Sequence, residues 1–293
     1  MDYVQPTIQT GAITIEQPFS FSKRSFIGCG GNAPVGYYPK TEEEVKALLK
    51  DLNNKREKYV VLGNLSNILP RDENLDAAVI STKSLLAMKT DGNLLYVSAG
   101  VSSNALLEKC KTLGFGGIEF LAGIPCSFGG ALFMNAGASG EYIAPFVQSV
   151  KVIYQDKEII LSKEDCAYAY KSSIFMHEKM FILGGTLALP KMSELNFKKR
   201  KEYFLSKRAH LPKGRSMGCV FKNPQGDTAG RLIEGAGLKG YRIGGAVVST
   251  KHANFIINDH KATSLDIKKL ITLIKSKVFT QYTIQLQEEI RYI

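Results

Sequence analysis

The chain has no tryptophan, only four histidines, and five cysteines that never fall as a CxxC pair. An odd, scattered set disfavours a disulfide framework and offers no zinc-ligand spacing. No apolar run nears the roughly 18 residues that suggest a membrane-spanning helix. The start, MDYVQPTIQT, has neither the basic nor the apolar region of a secretory signal, so the cytoplasm is the expected compartment. Acidic residues are also short: 27 Asp and Glu stand against 38 Lys and Arg, a net charge of +11. That balance favours anionic partners, whether nucleic acid, a membrane surface or a phosphorylated small molecule. The densest basic stretch, KKRKEYFLSKRAHLPKGR, runs from Lys198 to Arg215. A solvated helix face is its plain reading, and it is also a candidate for steering a diphosphate. It carries no nucleic-acid reading motif and no aromatic stacking array, so no nucleic-acid partner is expected.

What is present reads as mixed α and β, and 293 residues allow two or three domains. Thr41 and Glu44 form a capping box ahead of Val45, Leu48, Leu49 and Leu52, which predicts an amphipathic helix. YVVL and LDAAVIS read as strands, and MKTDGNLLYVSA as a hairpin turning at Asp91-Gly92. Ser103 is the expected cap of a short helix closed by Gly114, and QSVKVIYQDKEIILS is a second hairpin. FILGGTLAL is a further strand. Regular βαβ repeats are too few for a doubly wound sheet. After Pro190 a polar, basic helix from about Ser193 to Arg208 leads into a glycine-rich region. A last helix from about Ser264 places Ile267, Leu270, Ile271, Ile274 and Val278 on one face. The expected division is 1–85, 86–195 and 196–293.

Three glycine-rich stretches are candidates for chemistry. LGNLSNILPRDE offers consecutive backbone N–H groups that can cradle a pyrophosphate, although for this stretch alone a turn-rich surface loop is the favoured reading. GIEFLAGIPCSFGGALFMNAGASGEYI is apolar but punctuated by glycine, as close backbone approach to a large flat ligand requires. A helix N-terminus near Ser127 lies within it. The third is GCVFKNPQGDTAGRLIEGAGLKGYRIGGAVVSTKHANFIIN, Gly218 to Asn258.

In this order, GNLSN, AGIPCSFGGA, MNAGA, YAYKSSIF, FKNP, AGRLIEGAGLKG, GGAVVS and KHANFIIN resemble the UDP-N-acetylenolpyruvoylglucosamine reductase (MurB) family. The likeness runs from about Phe21 to Ile293 and is closer to the family's shorter, second subclass. It implies an α+β chain: an FAD-binding fold of the vanillyl-alcohol-oxidase (PCMH) type in two subdomains, plus a C-terminal substrate domain. It implies FAD as cofactor, NADPH as hydride donor, a UDP-sugar substrate of peptidoglycan precursor synthesis, and a monomer. A related FAD-dependent oxidoreductase of the same fold acting on another substrate is the alternative.

Carried over by position, Gly63, Asn64, Leu65, Ser66 and Asn67 face FAD, as do Ile124, Pro125, Cys126, Ser127 and Gly130. Asn135, Gly137, Ala138 and Gly140 belong to the same set, and Arg208 is added from its charge and placement. Leu65 replaces a glycine of the usual phosphate loop, which calls the local backbone into question. Tyr170 and Asn223 match substrate-binding positions, while Lys207 and Lys213 are further candidates for the diphosphate.

The implied reaction adds hydride to the terminal carbon of an enolpyruvyl group, builds charge toward its carboxylate, and then protonates the adjacent carbon. The family's proton donor is usually the serine of GS.FKNP, and here that position is Cys219. A thiol, with a reference pKa of about 8.5, is protonated at neutral pH and can serve. Cys29, Cys110 and Cys166 have no such context and read as packing residues. QEEIRYI aligns Glu289 with the glutamate that assists the enolate, with Glu288 one residue off. Lys171 takes the place of the arginine of Y.YR.S.F, keeping the charge but losing the planar fork.

Overall fold

A computed structural model describes residues 13–293; the secretory-signal reading and the first residues of the expected 1–85 subdomain lie outside them. Contacts divide the chain into two compact units, each discontinuous in sequence. The first comprises residues up to Gln17, Val35–Asn64 and Ala77–Arg208; the second comprises Pro18–Pro34, Leu65–Asp76 and Ala209–Ile293.

The first unit holds two larger sheets and a two-stranded hairpin. Strands β1 (Thr14–Glu16), β2 (Gly36–Tyr38), β3 (Tyr59–Leu62) and β4 (Ala78–Ser81) form a mixed sheet in the order β1-β2-β4-β3. The β2–β4 and β3–β4 pairs are parallel. Helix α1 (Glu42–Asn54) covers it with Val45, Leu48, Leu49 and Leu52, all four buried. Thr41 accepts the Glu44 N–H at 3.1 Å, as expected, but the Glu44 carboxylate reaches one residue further back, to the N–H of Lys40 at 2.7 Å.

The other sheet is antiparallel throughout. β5 (Met88–Asp91), β6 (Leu94–Ser98), β7 (Val147–Tyr154), β8 (Lys157–Ser162) and β9 (Phe181–Ala188) lie in the order β8-β7-β9-β6-β5. Its apolar face packs on α2 (Ser103–Leu113) and α3 (Phe128–Met134), and Phe197 and Phe204 of α4 (Glu194–Arg208) complete that core. The cap of α2 is Ser102, not Ser103: Ser102 is extended and accepts the Ala105 N–H at 3.2 Å. Ser103 is already helical and donates its hydroxyl to the Ile124 carbonyl at 2.5 Å. The core beneath α1 also takes in Ile153, Phe181 and Leu183 from β7 and β9, so the two larger sheets share it.

A buried carboxylate fixes α4 to this unit. Glu119 is fully buried, accepts the Gly117 N–H at 3.0 Å and the Arg200 Nε–H at 3.0 Å, while Arg200 also donates to Glu141 at 2.8 Å. Glu141 belongs to the short hairpin whose other strand is Gly137–Ala138. Removing one partner of a buried charge leaves the other uncompensated. Arg200 is itself half exposed, so Arg200→Ala is expected to lose about 2–3 kcal/mol, somewhat under the usual cost of breaking a fully buried pair, in chemical denaturation.

The second unit is a four-stranded antiparallel sheet with two helices. β10 (Ser216–Cys219), β11 (Arg242–Ile243), β12 (Ala246–Val248) and β13 (Phe255–Asn258) lie in the order β10-β13-β12-β11. Helix α5 (Ala229–Gly235) and helix α6 (Ser264–Tyr282) bury Leu232, Ile233 and the five predicted apolar residues of α6. Thr263 and Asp266 form a reciprocal capping box on α6. The two early segments are held here by polar bonds. Asn258 donates its amide to the Ile27 carbonyl at 2.8 Å, and Asp72 accepts the N–H groups of Ser264 and Leu265. No helix among the described residues is long and apolar enough to cross a membrane.

Candidate functional site

In the first unit, strand β3 runs into Gly63 and Asn64, which meet the loop Ile124–Ser127. The Asn64 amide donates to the Pro125 carbonyl at 2.8 Å, and a Cβ at Gly63 would run into Ser127 Oγ. Ser127 caps α3, accepting the Gly130 N–H at 3.3 Å. Gly123 has φ +74, and a Cβ there would stand 3.2 Å from Arg208 Nε, so Arg208 lies along this loop. The Cys126 thiol is pushed up to about 11, chiefly by burial, against the opposing pull of nearby Arg208 and Lys171. It is a neutral thiol at physiological pH, as a small lining residue should be. The cradle is thus backbone and glycine, with cations beside it and no carboxylate among these lining residues. Such a surface fits a flat ligand carrying a diphosphate.

Lys171 joins the same set. It sits at φ +52 in a turn whose Ala169 and Ser172 bridge each other, and Asn135 holds that turn by donating its amide to the Ala169 carbonyl at 2.9 Å. Asn135 is left-handed at the C-terminal end of α3, and its Oδ1 accepts the Ala144 N–H at 3.2 Å. Lys171 Nζ lies 3.4 Å from the Gly137 carbonyl, so the ammonium is directed to the hairpin of Gly137 and Ala138. Gly140, at φ +85, sits in that hairpin's turn. Tyr170 is 43% exposed and meets Tyr142 edge-on at 6.2 Å, which leaves its ring accessible to a ligand.

In the second unit the structure brings together Cys219, Glu289 and Asn67. Ser216 pairs with Ile257 and Cys219 with Phe255, so three steps on β10 oppose two on β13. This is a bulge, and Gly218 carries it at φ +77. Bulges re-aim the side chains beside them. The next residue, Val220, accepts the Glu289 N–H at 2.8 Å, and the Asn67 amide donates to the Glu289 carbonyl at 3.0 Å. Glu288 is engaged elsewhere, in an ion pair with Lys275 at 2.9 Å. Neighbours on an extended segment face opposite ways, so Glu289 presents the other side. Asn223 accepts the Ala229 N–H at 3.1 Å at the start of α5. Lys213 is exposed ahead of β10, and Ser66 lies half-buried in the loop of Leu65 and Asn67. Leu65 is buried at φ +52, which is why a glycine suits the position; a left-handed L-residue bears about 1–2 kcal/mol of strain.

The remaining thiols are packing groups. Burial raises Cys29, pushes Cys110 up to about 12 and Cys166 up to about 11. The second unit also has a cleft of about 400 Å³ lined by Gly28, Asp72, Arg215, Asn258 and Lys261, and it holds none of the residues expected from sequence. Sequence reasoning missed Asn254, although it stands in the quoted KHANFIIN. Its side chain is buried, and its amide both accepts from and donates to the backbone of Phe221, two residues past Cys219.

Comparisons agree with this division. Residues 34–161 match the family described as "FAD binding domain". A solvent-stable cholesterol oxidase superposes on 64% of this chain and 40% of its own with a TM-score of 0.50 at 18% identity, a likeness of fold alone. The glycine-lined first unit is therefore the FAD-binding part of a flavoprotein. Residues 209–293 match "UDP-N-acetylenolpyruvoylglucosamine reductase, C-terminal domain". A UDP-N-acetylenolpyruvoylglucosamine reductase of Caldicellulosiruptor bescii is 36% identical, covering 90% of this chain and 86% of that protein. The crystal structure of the Thermus caldophilus enzyme superposes with a TM-score of 0.84 at 30% identity, covering 96% and 99%. The chain belongs to the UDP-N-acetylenolpyruvoylglucosamine reductase (MurB) family.

Proposed function

We infer that the protein reduces UDP-N-acetylglucosamine enolpyruvate to UDP-N-acetylmuramate, a step of peptidoglycan precursor synthesis, in the cytoplasm and with NADPH as hydride donor. The observation that carries the reading is the tie between the bulged strand ending at Cys219 and the C-terminal segment holding Glu289. FAD, when bound, would supply the hydride transfer from NADPH to the terminal carbon of the enolpyruvyl group. Gly63, Asn64 and the Ile124–Ser127 loop would hold the cofactor through backbone groups, with Arg208 opposing its negative charge. Lys171 attracts the charge that builds on the substrate carboxylate, and Tyr170 and Asn223 hold the substrate. Cys219 gives its thiol proton to the carbon next to the carboxylate, and the thiolate left behind takes a proton from solvent before the next turnover. Glu289 assists the enolate-like intermediate, whose protonation completes the saturated lactyl ether.

The protein is expected to purify yellow, with about one FAD per chain, as a single glycine-lined cradle requires. Absorption at the flavin bands after gel filtration, with added FAD as control, measures this. A colourless protein that takes up no FAD removes the reading. Oxidation of NADPH that depends on the enolpyruvyl nucleotide then tests the substrate.

A further inference from the structure

Val220 and Phe221, the two residues that follow Cys219, have a complete hydrogen-bond account. The Val220 N–H goes to the Asn254 carbonyl at 2.8 Å, and the Val220 carbonyl takes the Glu289 N–H at 2.8 Å. The Phe221 N–H donates to Asn254 Oδ1 at 2.9 Å, and the Phe221 carbonyl accepts from Asn254 Nδ2 at 2.8 Å. Three of the four bonds therefore come from one residue, and two of those from a side chain only 2% exposed. The sheet ladder supplies the Val220 bond but not the two at Phe221. Its last register pair is Cys219 with Phe255, and the bulge at Gly218 has already broken the regular pairing. The Asn254 amide stands in for a strand, presenting an acceptor and a donor at peptide spacing just where the ladder ends.

We propose that Asn254 is a positioning residue for the protonation step, fixing the backbone beyond the bulge so that Cys219 and the Glu289 segment keep one mutual setting. The proposal rests on the reading of Cys219 as the acid. A bulge leaves its extra residue unpaired and disrupts the ladder locally, which leaves the backbone just beyond it freer to shift. Asn254 removes that freedom on one edge of Val220–Phe221, while Glu288 and Glu289 bound the other. Alanine at 254 leaves a buried N–H and a buried carbonyl without partners, and the segment has to move to find water. A shift of about 1 Å at a reacting group is worth about 10²-fold in rate.

The test uses the FAD-loaded enzyme and single-turnover reoxidation of the reduced flavin at saturating substrate. Asn254→Ala is expected to reoxidise about 10²-fold slower than wild type, with reduction by NADPH changed by less than about twofold. In a Cys219→Ala background the same substitution should change reoxidation by less than about twofold, since there is no acid left to misplace. Equal losses in both backgrounds, or equal losses in both half-reactions, make Asn254 a general structural residue and overturn the proposal. So does reoxidation at the wild-type rate in Asn254→Ala while Cys219→Ala is slow. If Cys219→Ala itself reoxidises normally, the acid reading fails first and this assignment falls with it. Asn254→Ser, which retains one hydroxyl toward Phe221, replaces the alanine variant if that does not fold. Loss of FAD binding in both assigns Asn254 to stability alone and overturns the proposal.

Discussion

Replacing Cys219 by alanine is expected to leave reduction of the flavin by NADPH nearly intact and to slow reoxidation by substrate by about 10²–10⁴-fold, the range of a lost acid–base group. The two half-reactions separate because only the second needs a proton delivered to carbon. Cys219 is the one cysteine of the second unit that is not buried, Cys29 being the other; in the first unit Cys110 and Cys166 are buried, and Cys126 lines the loop beside Gly63. It is also the one that follows a left-handed glycine at a bulge. Cys219→Ser should retain much of the activity, because a hydroxyl fills the same place and can still donate. A hydroxyl holds its proton to far higher pH than a thiol with its reference value of about 8.5, so the alkaline limb of the second half-reaction should move upward. Stopped-flow traces of both half-reactions across pH measure these effects together. Normal turnover by Cys219→Ala would make the thiol a packing group.

Much of this could be read from the chain because it depends on neighbours. The buried faces of α1 and α6 repeat every three to four residues, and every apolar position predicted on them is buried. Asp91-Gly92 turns its hairpin where a positive φ at glycine is needed. The cap of α2 was misread by one residue because Ser102 and Ser103 are chemically alike, and only the extended backbone of Ser102 decides between them. Leu65 shows the reverse case: its mismatch with the family glycine pointed to an unusual backbone, and φ is indeed +52. The pieces of the second unit that come from the N-terminal third were not legible. Ile27 is held by Asn258 and Ser264 by Asp72, pairings separated by 231 and 192 residues, which leave no local pattern. Asn254 escaped for a related reason. Its motif was visible, but its work is done on the backbone of Phe221, 33 residues away.

Lys171→Ala is expected to slow flavin reoxidation by about 10²-fold or more, the scale of a lost electrostatic donor to developing charge, with a smaller change in substrate affinity. The split follows from when the charge appears: the substrate carboxylate is already an anion, but negative charge grows toward it only in the transition state. The structure gives the side chain a defined origin for this work. Asn135 pins the turn at Ala169, Lys171 takes a left-handed backbone there, and its Nζ lies 3.4 Å from the Gly137 carbonyl. An ammonium carries three donors, but it is a point charge without the parallel bonds of a guanidinium. Lys171→Arg should therefore keep measurable activity where the wider head group is accommodated, and restore the paired geometry the family motif normally has. Alanine at this position keeps the same strained φ as lysine, so the comparison changes the charge while leaving the turn alone. Single-turnover reoxidation of reduced wild type, Lys171→Ala and Lys171→Arg at saturating substrate reads the effect directly. An unchanged rate in Lys171→Ala would transfer the role to another cation, with Arg208, beside the same loop, the first to replace next.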